Sequence, residues 1–236
     1  MKNAGVIAWR ELRAYFTSWM AYVVMAGFLV ISGFIFYVIL VGLREAQMRW
    51  VFHNMTITLL FVGPLLTMRL VAEEKKSGTF ELLMTSPVTE AQVVVGKFLG
   101  ALGLLAIMLI LTFEFPIVLM RFGEPDMGPL LCGYVGFLLA GACFLALGVL
   151  ASAMADTQVV AGFMGFGLSL LFWIIGWAAD QAGPKVGEVL RYLSFVTHFE
   201  DFGRGVIDTK SVIFYLSIIA FCLFAAMRVL ESRRWR

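Results

Sequence analysis

Residues 73–87 read EEKKSGTFELLMTSP, a charged and then amphipathic passage that separates two apolar runs. The chain around this passage is unusually apolar, because 61% of its 236 residues are hydrophobic and only 14% are charged. Its mean hydropathy is +0.91. Soluble domains contain fewer apolar and more charged residues than this. The composition therefore predicts an integral membrane protein in which residues 73–87 connect two membrane-spanning segments.

Six runs with no charged residue, or with Glu114 alone, are the candidate spans. Most of them reach the roughly 20 residues that a spanning helix needs. The runs are residues 19–43, 50–68, 98–120, 127–155, 157–179 and 211–227. The sequence thus predicts an all-α integral membrane protein with six transmembrane helices in a single domain, residues 1–236.

The distribution of positive charge predicts the orientation of these spans. With six spans both termini lie on one side, and that side carries more of the 18 lysine and arginine residues than the other. Lysine and arginine accumulate in cytoplasmic loops. We therefore expect both termini and residues 73–87 to face the cytosol.

Residues 1–18 precede the first span and have the pattern of an amphipathic helix. They contain no short apolar core followed by a cleavage site, so we expect this segment to be retained. One face carries Ala8, Leu12, Tyr15, Phe16 and Trp19, and the other carries Arg10, Arg13 and Thr17. This pattern predicts a helix lying in the membrane interface. An ordinary flank next to a span is the alternative.

A short helix is predicted between the second and third spans. Phe80, Leu83 and Met84 have the i, i+3, i+4 spacing of one helical face, and Glu81 points elsewhere. Pro87 disfavours continuation of the helix, because the residue before proline avoids helical angles. Two turns are unstable alone. The helix is therefore either a connector resting on the membrane surface or a docking point for a soluble partner.

The next helix begins with a capping signal. Thr89 and Gln92 have the T-x-x-Q spacing of a capping box. Further along this helix, Gly96 and Gly100 are spaced as G-x-x-x-G, as Ala161 and Gly165 are in the fifth span, which predicts close approach of helix backbones. Bends are predicted at the prolines of spans two and three, Pro64 and Pro116. Glu114 lies near the outer end of span three, where structural anchoring is the favoured role.

Residues 180–210 form a long connection between spans five and six. Two amphipathic stretches in it predict two short helices that dip into the outer leaflet, or a surface pair that only stiffens the fold. Four residues in it could suggest a metal site: His198, Glu200, Asp201 and Asp208. Their spacing is not diagnostic, so we predict no metal and assign them to hydrogen bonding between the half-helices.

Residues 73–83 (EEKKSGTFELL) and 85–88 (TSPV) resemble the cytosolic coupling segment of ABC-2-type transporter permeases. Within that family the chain is most similar to the permeases associated with gliding motility and with nitrous oxide reductase maturation. Their C-terminal part resembles residues 192–194 (YLS), 197–200 (THFE) and 205–208 (GVID). The resemblance covers nearly the whole chain and implies an ABC-2 exporter fold with re-entrant outer helices.

The resemblance also implies partners and roles. Residues 72–90 would contact a separate ATPase subunit, which would bind the ATP and Mg²⁺, while this chain would bind no cofactor. A second contact would involve the N-terminal helix. The implied coupling residues are Glu73, Glu74, Gly78, Phe80, Glu81, Leu83 and Met84. The implied residues of the interfacial helix are Arg10, Leu12, Arg13 and Phe16. The implied outer gate consists of Phe195, His198, Phe199 and Phe202.

The family implies a dimer with a second copy or a related chain in a bacterial cytoplasmic membrane. The sequence contains no G-x-x-x-x-G-K-[ST] motif for ATP and no convincing catalytic constellation, so we predict no enzymatic activity. The formal net charge of +2 is spread over both faces, so we predict no nucleic-acid partner. The function predicted is that of an ATP-driven permease subunit. An ion-coupled secondary transporter and a non-transporting membrane anchor remain the alternatives.

Overall fold

The computed structural model describes residues 2–43, 48–78, 88–122, 125–181 and 183–233, and its regular elements are helices. In chain order they are α1 (Lys2–Thr17), α2 (Trp19–Val38), α3 (Arg49–Thr67), α4 (Ala72–Lys76), α5 (Glu90–Leu111), α6 (Glu114–Phe122), α7 (Met127–Met154), α8 (Gln158–Gln181), α9 (Pro184–Leu193), α10 (Phe195–Gly203) and α11 (Thr209–Arg233). A wider π-helical turn, Ile39–Leu43, continues α2. The predicted all-α fold is confirmed for the described residues.

Six segments are long and apolar enough to cross a membrane. They are Trp19–Gly42, Arg49–Lys76, Glu90–Arg121, Met127–Met154, Gln158–Ala179 and Thr209–Ser232. Each overlaps one of the predicted runs, although the second segment ends later and the third begins earlier than its run. The prediction of six spans is therefore confirmed by helix length and composition.

The six spans differ in how deeply they are buried. In the most apolar part of the segment, 72% of the second span, 61% of the third and 78% of the fourth are buried, against 28%, 22% and 22% for the first, fifth and sixth. The central helix α7 contacts α3, α5, α8, α10 and α11. The protein is thus a bundle around α7, in which α2, α8 and α11 present broad apolar sides outward.

Small residues allow this packing around α7. A Cβ atom at Gly141 would lie 2.5 Å from Leu105 Cδ2, and one at Gly148 would lie 2.0 Å from Thr67 Oγ1. Both distances are shorter than carbon atoms tolerate, so the neighbouring helices α5 and α3 approach as closely as they do because these positions lack side chains.

The third span is broken near Pro116, where the sequence predicts a bend. Helix α5 ends at Leu111 and α6 begins at Glu114. The missing N–H of Pro116 leaves the Thr112 carbonyl without its helical partner. The Tyr134 hydroxyl donates to that carbonyl at 3.0 Å, and Phe115 N also donates to it at 3.0 Å. Pro64 lies inside α3, which continues to Thr67, so the predicted bend of the second span at Pro64 stays a prediction.

Candidate functional site

The bundle has two different ends. We call the end that carries α1 and α4 the stem end, and the opposite end, which carries α9 and α10, the hairpin end. The predicted interfacial residues and the described coupling residues Glu73, Glu74 and Gly78 belong to the stem end. The predicted gate residues belong to the hairpin end.

Four charged residues meet at the stem end, and we call them the charge cluster: Arg10, Glu11, Glu74 and Lys97. Lys97 Nζ lies 3.0 Å from Glu11 Oε1 and 2.7 Å from Glu74 Oε1, and the lysine side chain is only 1% exposed. Arg10 Nη2 lies 3.0 Å from Glu11 Oε1 and 3.5 Å from Glu74 Oε1. The cluster therefore joins α1, α4 and α5 through one buried cation.

The energetic consequence of this arrangement depends on burial. A buried ammonium group is costly unless carboxylates balance it. Removing one partner from a buried ion pair costs roughly 3–5 kcal/mol, because the remaining charge is left uncompensated. Lys97 can thus occupy the interior only while Glu11 and Glu74 stay beside it.

Helix α1 lies directly on α5 because two glycines allow close approach. A Cβ atom at Gly96 would lie 2.7 Å from Ile7 Cβ, and one at Gly100 would lie 2.6 Å from Glu11 Cβ. The predicted role of the G-x-x-x-G spacing in close backbone approach is confirmed. The same contact brings Glu11 within reach of Lys97.

The packing face of α1 differs in part from the predicted one. Ala4 and Ile7 are buried, and the Tyr15 hydroxyl donates to the Leu66 carbonyl at 2.6 Å. Burial raises the pKa of the Tyr15 hydroxyl, so it remains a donor. Trp19, which the sequence placed on the same face, is 75% exposed. The reason is the extended backbone at Ser18, which ends α1 and redirects the chain.

The predicted interfacial residues divide between the two sides of α1. Leu12 and Phe16 are partly buried and pack against the core, while Arg10 and Arg13 are exposed. This division follows the predicted amphipathic pattern. The buried Glu11 contact was missed, because a glutamate beside two arginines indicates a solvated face when only the sequence of α1 is considered.

Helix α4 is fixed to the end of α7. Ser152 Oγ accepts hydrogen bonds from Val71 N and Ala72 N, both at 3.1 Å, and donates to the Met68 carbonyl at 3.3 Å. Lys75 Nζ donates to the carbonyl of Ala155 at 3.1 Å and to that of Ala153. A lysine on the final carbonyls of a helix also complements the helix dipole.

Both flanks of residues 79–87 have defined geometry. Gly78 follows α4 with a φ of 71°, a left-handed angle that favours glycine. On the other side, Thr89 and Gln92 form the predicted capping box, with both hydrogen bonds at 3.3 Å. Glu73 is exposed, whereas Glu74 belongs to the charge cluster. The remaining predicted coupling residues lie outside the described residues: Phe80, Glu81, Leu83 and Met84.

The predicted gate residues lie inside the hairpin end. Phe195, His198, Phe199 and Phe202 are between 0% and 8% exposed. The Phe195 ring contacts Phe144, Phe172 and Tyr215, and the His198 ring stacks on Phe214 at 4.1 Å. These rings hold α10 against α7, α8 and α11. A gating role for them stays a prediction.

Hydrogen bonds around His198 link the two helices of the hairpin to the last span. His198 Nε2 lies 2.9 Å from the Tyr192 carbonyl, and Nδ1 lies 3.0 Å from Ser211 Oγ. Ser211 Oγ donates to Asp201 Oδ2 at 3.2 Å. Within the described ranges, no group of three or more His, Cys, Asp or Glu side chains could hold a metal ion. The His198 bonds connect α9, α10 and α11, as the hydrogen-bonding prediction requires.

The charge cluster was not predicted from the sequence. From the sequence, Lys97 was considered only in the count of positive charges. Lys97 directly follows Gly96, a helix-packing glycine, near the start of an apolar run, and this position is the signal that could have indicated a buried charge. Glu11 and Glu74 lie 86 and 23 residues away from it along the chain. No local spacing indicates that these residues meet.

Comparison with known proteins agrees with the fold and with the predicted family. A search of curated proteins gave no match. A family model described as "ABC-2 family transporter protein" matches residues 43–202, which is more than half of the chain. The matched region begins at the end of α2 and continues into α10. Together with its six apolar helices, this match shows that the chain belongs to the ABC-2 transporter family and is a membrane permease component.

Proposed function

We propose that this chain is the permease subunit of an ATP-driven exporter and that residues 72–90 dock a separate ATPase subunit. That ATPase would bind the ATP and Mg²⁺. The observation that carries the proposal is the anchoring of both flanks of residues 79–87. Helix α4 is bonded to α7 through Lys75 and Ser152 and to α5 through Glu74 and Lys97.

This anchoring supports a mechanical role for the segment. Coupling between distant sites is carried by packed elements and by hydrogen-bond or ion-pair networks. A displacement of residues 79–87 would reach α5 directly through the Thr89 cap and would reach α7 through α4. The charge cluster would move α1 with them. We further propose that nucleotide-driven closure of the ATPase, acting through these elements, reorients the first, second and fifth spans, α2, α3 and α8.

The proposal includes a dimeric permease in a bacterial inner membrane with cytosolic termini. The outward apolar sides of α2 and α8 support a second copy or a related chain, with a conduit between the two halves. Within the family we favour the branch associated with gliding motility and nitrous oxide reductase maturation. This choice rests on residues 73–88 and 192–208.

The decisive experiment is purification of the tagged chain from native membranes in mild detergent, followed by identification of copurifying proteins that contain a Walker motif. We expect an ATPase with the wild type and its loss with Phe80→Asp/Leu83→Asp. The matched control is Val186→Asp/Val189→Asp, which makes the same kind of change on the exposed face of α9. This control should retain the ATPase.

Two results would contradict the proposal. If crosslinking in native membranes finds no ATPase beside the wild-type chain, a secondary transporter or a membrane anchor takes its place. If the ATPase is present but both double variants retain it equally, residues 79–87 are not its docking site.

A further inference from the structure

A cavity of about 330 Å³ lies at the stem end, between α1, the start of α2 and the end of α3. Its lining combines polar residues, among them Ser18 and Arg69, with apolar residues, among them Met20, Val24 and Leu65. Leu65 is 44% exposed, so the apolar lining reaches the surface of the bundle. A pocket with both polar and apolar lining can hold an amphiphile.

Arg69 is the unusual member of this lining. Its Nε atom is buried and has no hydrogen-bond partner among the residues that the structure describes. A guanidinium group stays charged in proteins and presents a planar set of donors that suits phosphate. A buried donor without a partner is costly. Arg69 as a whole is only partly buried and lines the cavity, so the accessible part of its guanidinium group can donate to an anion held there.

Two carboxylates also line the cavity, and they restrict the ligand further. Glu11 is already paired with Lys97 and Arg10. Glu73 is exposed and lines the same cavity as Arg69. A ligand with only negative charge would be repelled by Glu73, whereas one that also carries an ammonium group would be attracted to both residues.

We propose that this cavity binds a phospholipid with an amine headgroup, such as phosphatidylethanolamine. The phosphate accepts hydrogen bonds from Arg69, the ammonium group faces Glu73, and one acyl chain follows Met20, Val24 and Leu65. The lipid then joins α1, α2 and α3 at the stem end. This inference does not depend on an ATPase partner.

The test is thermal unfolding of the purified, delipidated chain in detergent with four added probes. The probes are phosphatidylethanolamine, phosphatidylglycerol, diacylglycerol and inorganic phosphate. At equal concentration, a ligand that binds the folded state more tightly raises the midpoint of unfolding further. We expect the largest rise with phosphatidylethanolamine and little rise with diacylglycerol or inorganic phosphate.

Substitutions locate the response. Arg69→Gln should lower the apparent affinity for phosphatidylethanolamine about tenfold, the effect of losing one charge-assisted hydrogen bond. The control Arg13→Gln removes an exposed arginine of α1 that does not line the cavity, and it should respond as the wild type does. If Arg69→Gln does not fold, Ala14→Trp fills the cavity mouth while Arg69 is kept, and it should also lose the response.

Four outcomes would overturn the inference. If diacylglycerol raises the midpoint as much as phosphatidylethanolamine does, the phosphate does not contribute to binding. If inorganic phosphate alone does so, the cavity is a simple anion site. If phosphatidylglycerol does so, Glu73 and the amine do not contribute. An unchanged response in folded Arg69→Gln or in Ala14→Trp would place the lipid elsewhere. None of these outcomes bears on ATPase docking, so the two proposals fail independently.

Discussion

The two ends of the bundle are held together by different interactions. At the stem end, separate elements are joined by a buried ion cluster and by bonds from Ser152 and Lys75 to backbone atoms. At the hairpin end, α10 is joined to its neighbours mainly by aromatic rings around Phe195 and Tyr215. The first set is sparse and directional, whereas the second is continuous packing.

This difference has a mechanical consequence. A few charged contacts can be broken and remade in a second arrangement, whereas a close-packed core resists gradual deformation. The stem end also exposes Glu73 and Lys76 beside its buried charges, which leaves polar groups free for recognition. We therefore expect the stem end to be the part that moves and the hairpin end to stay fixed.

The largest expected effect is that of Lys97→Met. This change leaves Glu11 and Glu74 close together without the buried cation between them. The free energy of unfolding should fall by roughly 3–5 kcal/mol. Denaturant unfolding of the purified chain in detergent measures this loss.

The control and a rescue variant define the cause. Lys185→Met removes an exposed lysine at the hairpin end and should change stability little. The triple variant Lys97→Met/Glu11→Gln/Glu74→Gln removes these three charges and should recover most of the loss, because no buried charge remains uncompensated and Arg10, which loses its partners, is exposed to water. A triple variant as unstable as Lys97→Met would show that packing, and not charge, holds the stem end.

The next effect is that of Gly100→Ala, which separates α1 from α5. The new Cβ atom would lie 2.6 Å from Glu11 Cβ, and overpacking of this kind costs roughly 1–3 kcal/mol. We expect faster tryptic cleavage at Arg10 and Arg13 of α1. The control Gly103→Ala would place its Cβ atom 3.5 Å from Leu12 Cδ1, an ordinary contact, and cleavage should remain slow. Equal cleavage of both variants would contradict the proposed role of Gly100.

The sequence predicted what depends on local pattern. The six spans follow from apolar length, the Thr89 capping box from T-x-x-Q spacing, and the close approach of a neighbouring helix to α5 from Gly96 and Gly100, although not the identity of that neighbour, α1. The break near Pro116 follows from a missing backbone donor. Each of these features is determined within one helix, or by a single residue type at a fixed spacing.

What escaped prediction depends on contacts between distant parts of the chain. The meeting of Glu11, Glu74 and Lys97 is set by the crossing of three elements, which no spacing within one helix indicates. Likewise, the amphipathic pattern of residues 180–210 predicts two helices, but it does not distinguish a face that meets lipid from one that meets protein. Phe195 and Phe202 pack on protein. The cavity at Arg69 also escaped prediction, because it forms only where α1, α2 and α3 meet.

A smaller effect is expected for Tyr215→Phe at the hairpin end. The Tyr215 hydroxyl is buried and donates to the Phe195 carbonyl at 2.9 Å. Its removal should cost about 1 kcal/mol, the typical worth of one hydrogen bond, because the ring packing is kept. The control Tyr22→Phe removes a hydroxyl that bonds the Phe16 carbonyl on an exposed residue, so it should cost less. Thermal unfolding compares the two variants. A loss for Tyr215→Phe several times larger than the expected value of about 1 kcal/mol would mean that hydrogen bonds dominate the hairpin end.

The smallest effect is expected for Arg204→Gln, which breaks the one-turn pair with Glu200 at 3.4 Å. Both side chains are about half exposed, at 59% and 48%, so water and salt screen their attraction. The free energy of unfolding should change by no more than about 0.5 kcal/mol, and less at high salt. This pair contains the same kinds of charge as the charge cluster, yet only the cluster contains a buried cation, Lys97. A loss above about 1 kcal/mol in denaturant unfolding would mean that exposed ions also hold the hairpin end, and the contrast between the ends would then not rest on burial.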